Sequence, residues 1–403
     1  MHGKQLDIST ENRRLDGVTR PALVISAVLA VVGFGGALAL ASRSEAGLDV
    51  LLETYLVSFA FFLSISLGGL FFVLLQHCTR AGWSVVVRRV SEAVAANVGL
   101  MAVLAIPVVL GMHHIYHWAD TAAAAHDPLI AGKMGYLNPT FFIIRLVVYF
   151  VVWIAMAGFL LRTSVAQDAS GDPILTLRME RWSAPAMVVF ALSLNFAAFD
   201  LLMSLDPHWF STIFGVYYFS AAVVAFLAVM PKILVALQSR GLLRNAVTVE
   251  HYHDFGKLLF GFIVFWAYIA FSQYLLIWYG NLPEETEWFL KRQTGEWTTV
   301  SLILIFGHFV IPFLLLISRI IKRRPLLLAA TGGFVAAMCW VDIYWLVIPE
   351  FSPGVARFGL IDVLCFLGMN GLFMAGLVLR LRRHSLVPEG DPRLEESLSF
   401  ENA

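Results

Sequence analysis

Apolar residues fill this chain in blocks of about twenty, the length of helix that crosses a bilayer, with short polar segments between them. Ten spans are predicted, over 21–41, 50–77, 93–112, 139–162, 184–205, 211–237, 255–279, 298–319, 326–348 and 357–380. The pattern reads as an all-α polytopic membrane protein. Residues 22–41 end in the small-residue run ALALAS, as a signal peptide would. The apolar run is too long for that, and an uncleaved first helix suits the charge pattern better.

Two pairs of segments echo each other four spans apart. FDLLMSLDPHWF (199–210) matches VDIYWLVIPEFS (341–352), aligning Asp200 with Asp342, Pro207 with Pro349 and His208 with Glu350. The loop QHCTRAGWSVVVRRVSE (76–92) matches LQSRGLLRNAVTVEHYHD (237–254), where Glu92 and Asp254 each open the next span. An offset of four spans gives two units of the same orientation. The expected plan is therefore two parallel four-helix bundles, at 50–205 and 206–348. A first helix with its outer loop (21–49) and a tenth helix (349–380) flank them, between tails at 1–20 and 381–403.

Composition agrees with the span count. The 403 residues are 59% hydrophobic and 14% charged, against about 25% charged in soluble domains. Net charge is zero, but its distribution is uneven. Lys and Arg number 22 on the side of the two termini, five in the opposite loops, and one, Arg145, within a span. The positive-inside rule then places both termini in the cytoplasm and the Asp-Pro-His-Trp turn outside. The final segment PEGDPRLEESLSFENA is acidic and poor in aromatics, which predicts a disordered tail.

Ionisable groups inside spans are the main chemical signal. Each costs roughly 2.5–3.5 kcal/mol at a bilayer centre and normally faces a bundle interior. Glu53, Arg145, Asp200, Asp342 and Asp362 fall in the outer half, His308 near mid-span, and His77, Glu92, Asp254 and Lys257 at the inner ends. Helical spacing aligns Ser193, Asp200, Ser204 and Pro207 on the fifth span. It does the same for Ser301, His308, Pro312 and Arg319 on the eighth, and for Thr331 and Asp342 on the ninth. Such stripes point inward, and carboxyls crowded there would exchange protons.

Other chemistry finds little support. Cys78, Cys339 and Cys365 are far apart with no C-x-x-C spacing, which excludes an iron–sulfur cluster or zinc ribbon on ligand count. No glycine-rich phosphate loop follows a strand, and no basic tract suggests nucleic acid. His308 is the only deep histidine, so no haem is expected in the chain. His113 and His117 have i, i+4 metal spacing, although a solvated loop edge is the commoner setting. Trp209, Tyr217, Tyr218, Trp278, Tyr279 and Trp297 read as an interfacial aromatic belt.

The segment FDLLMSLDPHWFSTIFGVYYF (199–219), with ten spans and paired bundles, resembles the NrfD/PsrC-like membrane subunits of bacterial respiratory complexes. Within them it is most similar to the F subunits (ActF) of alternative complex III, a quinol:electron-acceptor oxidoreductase. The resemblance covers nearly the whole chain and is sharpest in that segment. It implies a multi-pass subunit of the bacterial inner membrane with no cofactor of its own. Partners would be an ActC-like sister membrane subunit, periplasmic iron–sulfur and multihaem cytochrome subunits carrying haem c, membrane lipids and a terminal oxidase. Menaquinol or ubiquinol would be the substrate of the complex, and this subunit would be non-catalytic or proton-translocating. The implied outer half-channel set is Asp200, Asp342, Asp362, Arg145, His308 and Glu53; the inner set is His77, Glu92, Asp254 and Lys257. A secondary transporter and an inert scaffold remain the alternatives. Pro107 and Pro312, which do not correspond in the repeat, weigh against the transporter.

Overall fold

The computed structural model describes residues 11–43, 47–120 and 126–402; Lys4, counted above among the N-terminal charges, lies outside them. Among the described residues ten helices are long and apolar enough to cross a membrane. They are α1 (Thr19–Ala41), α2 (Gly47–Cys78), α3 (Val85–Leu110), α4 (Pro139–Ser170) and α5 (Pro173–Leu205), then α6 (Phe214–Ser239), α7 (Val249–Gly280), α8 (Trp297–Ile317), α9 (Pro325–Glu350) and α10 (Leu360–Leu381). No β-strand occurs among the described residues beyond one isolated bridge between Asn12 and Leu242.

Helix ends follow local caps rather than the apolar blocks. Helix α5 begins at Pro173, not at 184, because the Asp172 side chain accepts a hydrogen bond from Ile174 N (2.9 Å) and proline suits the first turn. Gly171, at φ 63°, closes α4 immediately before it. Helix α7 begins at Val249, not at 255, where Thr248 N donates to Nδ1 of His251 (3.0 Å). Helix α3 starts at Val85 and is segmented near Asn97, Ala105 and Gly111, around Pro107. Glu92 and Asp254 consequently sit inside helices rather than opening them.

Helix α8 widens into a π-helical turn over Leu304–Val310. Pro312 explains this. A proline lacks the N–H that would bond the carbonyl four residues earlier, and its ring collides with that carbonyl, which belongs to His308. The extra residue per turn relieves the collision and reorients His308.

Helices α2–α5 form one ring and α6–α9 a second, with α2 and α6 packed against each other at the centre and α1 paired to α10 on the flank of α2. Helix α2 is buried along nearly its whole length, whereas α1, α7 and α8 leave most of theirs to lipid. Close approach depends on small residues. A Cβ on Gly68 of α2 would lie 2.2 Å from the Ala222 carbonyl oxygen of α6, and one on Gly33 of α1 2.2 Å from Gly368 N of α10.

The tail departs from expectation. Residues 381–402 are ordered and include a short helix, Leu394–Leu398. Leu386 N donates to Arg13 O (2.8 Å), Ser397 Oγ to Trp83 O (2.6 Å) and Arg393 Nη2 to Glu180 Oε1 (2.5 Å), while Asp391 pairs with Arg88. Acids that look solvating in isolation meet distant arginines, Asp391 meeting Arg88 on α3 and Glu389 meeting Arg13 (3.2 Å), and that charge match outweighs the composition.

The central crossing makes a simple forecast. Gly68→Val forces side-chain atoms into the Ala222 backbone and should destabilise the protein by about 1–3 kcal/mol. The change should be visible as earlier thermal unfolding in detergent. Gly261→Val, where a Cβ meets no neighbour, should leave the transition in place.

Candidate functional site

The acids selected from the sequence are all buried, yet they divide among separate settings rather than one cavity. Asp200, 1% exposed near the C-terminal end of α5, is fully matched. Arg145 of α4 reaches it with two parallel bonds, Nε to Oδ2 (2.8 Å) and Nη2 to Oδ1 (2.9 Å), and Tyr149 Oη donates to Oδ2 (2.8 Å). Arg145 also donates to Tyr136 O (2.8 Å) and lies over the Tyr136 ring at 3.8 Å. This bidentate, ring-covered pair is closed.

Asp342, its counterpart on α9, is fully buried with no cation bonded to it among the described residues. Two neutral donors face it: Tyr217 Oη of α6 to Oδ1 (2.5 Å) and Trp266 Nε1 of α7 to Oδ2 (3.1 Å). The His308 ring stacks on Trp266 at 3.9 Å, presented by the π-turn. Its Nε2 lies 3.4 Å from Cys339 Sγ, one turn before Asp342, and its Nδ1 has no partner among the described residues. An apolar cavity of about 560 Å³ borders Tyr217 and Trp266, and Gln273, which lines it, has an unpartnered Nε2.

Glu53 and Asp362 do come together, near the N-terminal ends of α2 and α10. Arg357 pairs with Glu53, while Asp362 accepts from Thr54 Oγ1 (3.0 Å) and from Gly359 N (2.9 Å), capping α10. Burial holds the Arg357 guanidinium somewhat below its ordinary value, with Asp362 pulling the other way.

At the arginine-rich end, Glu92 lies 3.2 Å from Arg89 and 3.6 Å from Arg88, and Arg89 continues to Asp168 (2.8 Å). His77 is buried beside this cluster, within electrostatic reach of Arg88, and its Nε2 is unpartnered among the described residues. Asp254 pairs instead with Lys257, which also reaches Asn402 of the tail (2.5 Å). The inner candidates thus form two groups.

Sequence reading missed a charged cluster where the two repeat exits meet. Asp206 and Glu350 share one lysine, Lys291, at 2.9 and 3.0 Å, and Glu350 also binds Arg292 (3.0 Å). Arg292 is fully buried, donates to the carbonyls of Trp345 (3.1 Å) and Leu346 (2.8 Å) and lies 3.4 Å over Trp288. Burial draws it down to about 10, so it stays charged at neutral pH, and it acts electrostatically on Tyr217. Glu350 and Arg292 thus lead inward from a surface cavity of about 360 Å³, and the Tyr217–Asp342 pair lies within electrostatic reach of Arg292. The matched prolines at 207 and 349 were the signal available for this cluster.

One further expectation needs correction. Tyr217, Tyr218, Trp209 and Trp297 are buried hydrogen-bond donors, to Asp342, Ala60 O, Glu285 O and Ser352 O, whereas Trp278 and Tyr279 are exposed as a belt requires. His113 and His117 are exposed and do not share a helix face, because the helical segment ends at Ile115 and Tyr116 is extended, which suits the solvated loop edge read from the sequence. No group of three or more His, Cys, Asp or Glu is placed to hold a metal among the described residues. No protein-family model matches the chain, and no curated protein matches it.

The two kinds of acid respond differently to change. Arg145→Ala strands Asp200 and should cost about 3–5 kcal/mol of stability, measured by denaturant or thermal unfolding in detergent. Asp206 gives a pH dependence. Burial alone would raise it, but the hydrogen bond and charge of Lys291 outweigh this and hold it below the ordinary 3.8. A lowered carboxylate contributes stability fully above that value and loses it as pH falls through the folded-state value. The acid limb of a stability–pH curve should therefore flatten in Lys291→Met.

Proposed function

We propose that this chain is a membrane subunit of a respiratory quinol:electron-acceptor oxidoreductase of the alternative complex III type, and that its second bundle handles protons while its first anchors. The carrying observation is Asp342. A carboxyl with no countercharge in a dry interior holds a proton at little cost, and the Tyr217 and Trp266 donors accommodate the carboxylate when the proton leaves. His308, stacked on Trp266, extends the chain of exchangeable groups toward mid-span, and the Arg292–Glu350–Lys291 line extends it outward. The inner limb of the same bundle begins at the Asp254–Lys257 pair of α7.

In this reading the periplasm is the side of the Asp206–Glu350 cluster, where redox partners holding haem c and iron–sulfur clusters dock, and both termini are cytoplasmic. Quinol oxidation at a sister subunit drives the cycle. One proton moved against 100 mV requires about 2.3 kcal/mol, a cost that electrostatic coupling to a neighbouring redox step covers. The scaffold reading draws its support from the closed Asp200–Arg145–Tyr149 group, which suits anchoring rather than exchange. The transporter reading has less. Its interrupted helices should be repeat counterparts, whereas the segmented spans here are α3 and α8, which are not.

Vesicles containing the assembled complex test this. With Asp342→Asn, quinol-driven proton movement should fall at least about tenfold while assembly is retained. Unchanged proton movement in that variant would remove the proton-handling role.

A further inference from the structure

A second site, unrelated to the proton groups, lies at the arginine-rich ends of α3, α4 and α10. A cavity of about 270 Å³ opens there between the three helices. Arg162 of α4, Arg380 of α10, and Arg383 and His384 just beyond it supply every titratable group in its wall. No carboxylate lines it. The neighbouring acid, Asp168, is bound by Arg89 at 2.8 Å.

The arginines are arranged but not neutralised. Arg380 is fixed through Nη1, which donates to Asn97 Oδ1 (2.7 Å) and Gly376 O (3.0 Å), so Nη2 is left for another acceptor. Arg162 and Arg383 make no ion pair among the described residues. Burial first, then the charges of Arg89 and Arg383, hold His384 below its ordinary value, so it faces the cavity neutral at neutral pH and able to donate one hydrogen bond. Three guanidinium groups around one small space repel one another unless an anion joins them.

The opposite wall is apolar and faces outward. Ile154, Gly158 and Leu161 of α4 line it, and Ile154 continues an exposed stripe with Val147 and Val151. Nothing lies within 4 Å of a Cβ built on Gly158, which leaves a channel from the basic end onto the lipid-facing side of α4. A ligand that satisfies both walls has a phosphate at one end and hydrocarbon at the other. Basic pockets between helices at the positively charged face of a membrane protein take anionic headgroups.

We infer that this cavity is a binding site for an anionic phospholipid of the adjacent leaflet, with its phosphate among Arg162, Arg380 and Arg383 and its acyl chains along Val147, Val151 and Ile154. The pairing of a multi-arginine cradle with a lipid-facing apolar stripe favours a lipid phosphate over a free one.

Native mass spectrometry of the full chain, released from nanodiscs of phosphatidylglycerol mixed with phosphatidylcholine, tests the assignment. Wild type should retain one phosphatidylglycerol in preference to phosphatidylcholine, and millimolar inorganic phosphate should not displace it. At about 1 kcal/mol per arginine, Arg162→Gln with Arg383→Gln should weaken retention about thirtyfold, and Arg162→Lys with Arg383→Lys should keep most of it. Equal retention of the two lipids by wild type, displacement by inorganic phosphate, or undiminished retention in the glutamine variant would each overturn the proposal. Should the glutamine variant not fold, the wild-type lipid comparison and phosphate competition still decide.

Discussion

A bilayer interior offers no water to compensate a charge, so each ionisable side chain placed there must find its partner within the protein. Most of this architecture follows from how that demand is met. Asp200 meets it with Arg145 and Tyr149, Glu53 with Arg357, and Glu92 with Arg88 and Arg89. The first two pairings cross between helices or pin a loop to a helix end, whereas Glu92 and its arginines all lie on α3, which Arg89 ties to α4 through Asp168. Asp342 does without a bonded cation and relies on two neutral side-chain donors, as Asp362 relies on Thr54 and Gly359, which sets it apart from its counterpart Asp200.

The repeat makes that contrast informative. Asp200 and Asp342 occupy matching places on the fourth helix of each bundle, and both are buried by their ring of neighbours. The first bundle supplies an arginine from its third helix. In the second bundle that helix supplies a histidine, turned by the π-turn that Pro312 imposes, so that it stacks on Trp266 instead of pairing with the acid. Matching positions in the two bundles thus have two physical settings, a closed ion pair and a carboxyl with no bonded cation. The two exits converge where Asp206 and Glu350 share Lys291, and that shared lysine couples the bundles.

Ten spans and most of the inward stripes were legible because hydrophobic length and helical spacing are local properties, but Arg319, read onto the stripe of α8, is exposed beyond the extended Ser318. Ser193, Asp200, Ser204, His308 and Asp342 are indeed directed inward. What was not legible depends on contacts distant in sequence. Nothing near Asp391 announces Arg88, so the tail read as disordered, and nothing near Asp342 announces Tyr217, 125 residues earlier, which read as a belt tyrosine. Helix starts were misplaced where caps such as Asp172 and Thr248 carry α5 and α7 past the apolar block. Lys291 and Arg292 looked like ordinary loop charges until the fold brought Glu350 to them.

The central claim is a difference in protonation between two matched acids. Infrared difference spectroscopy reads it directly, through the carbonyl stretch that a protonated carboxyl has and a carboxylate lacks. At neutral pH the account predicts a buried protonated-carboxyl band that vanishes in Asp342→Asn and survives in Asp200→Asn. A band that survives Asp342→Asn and vanishes in Asp200→Asn would contradict it.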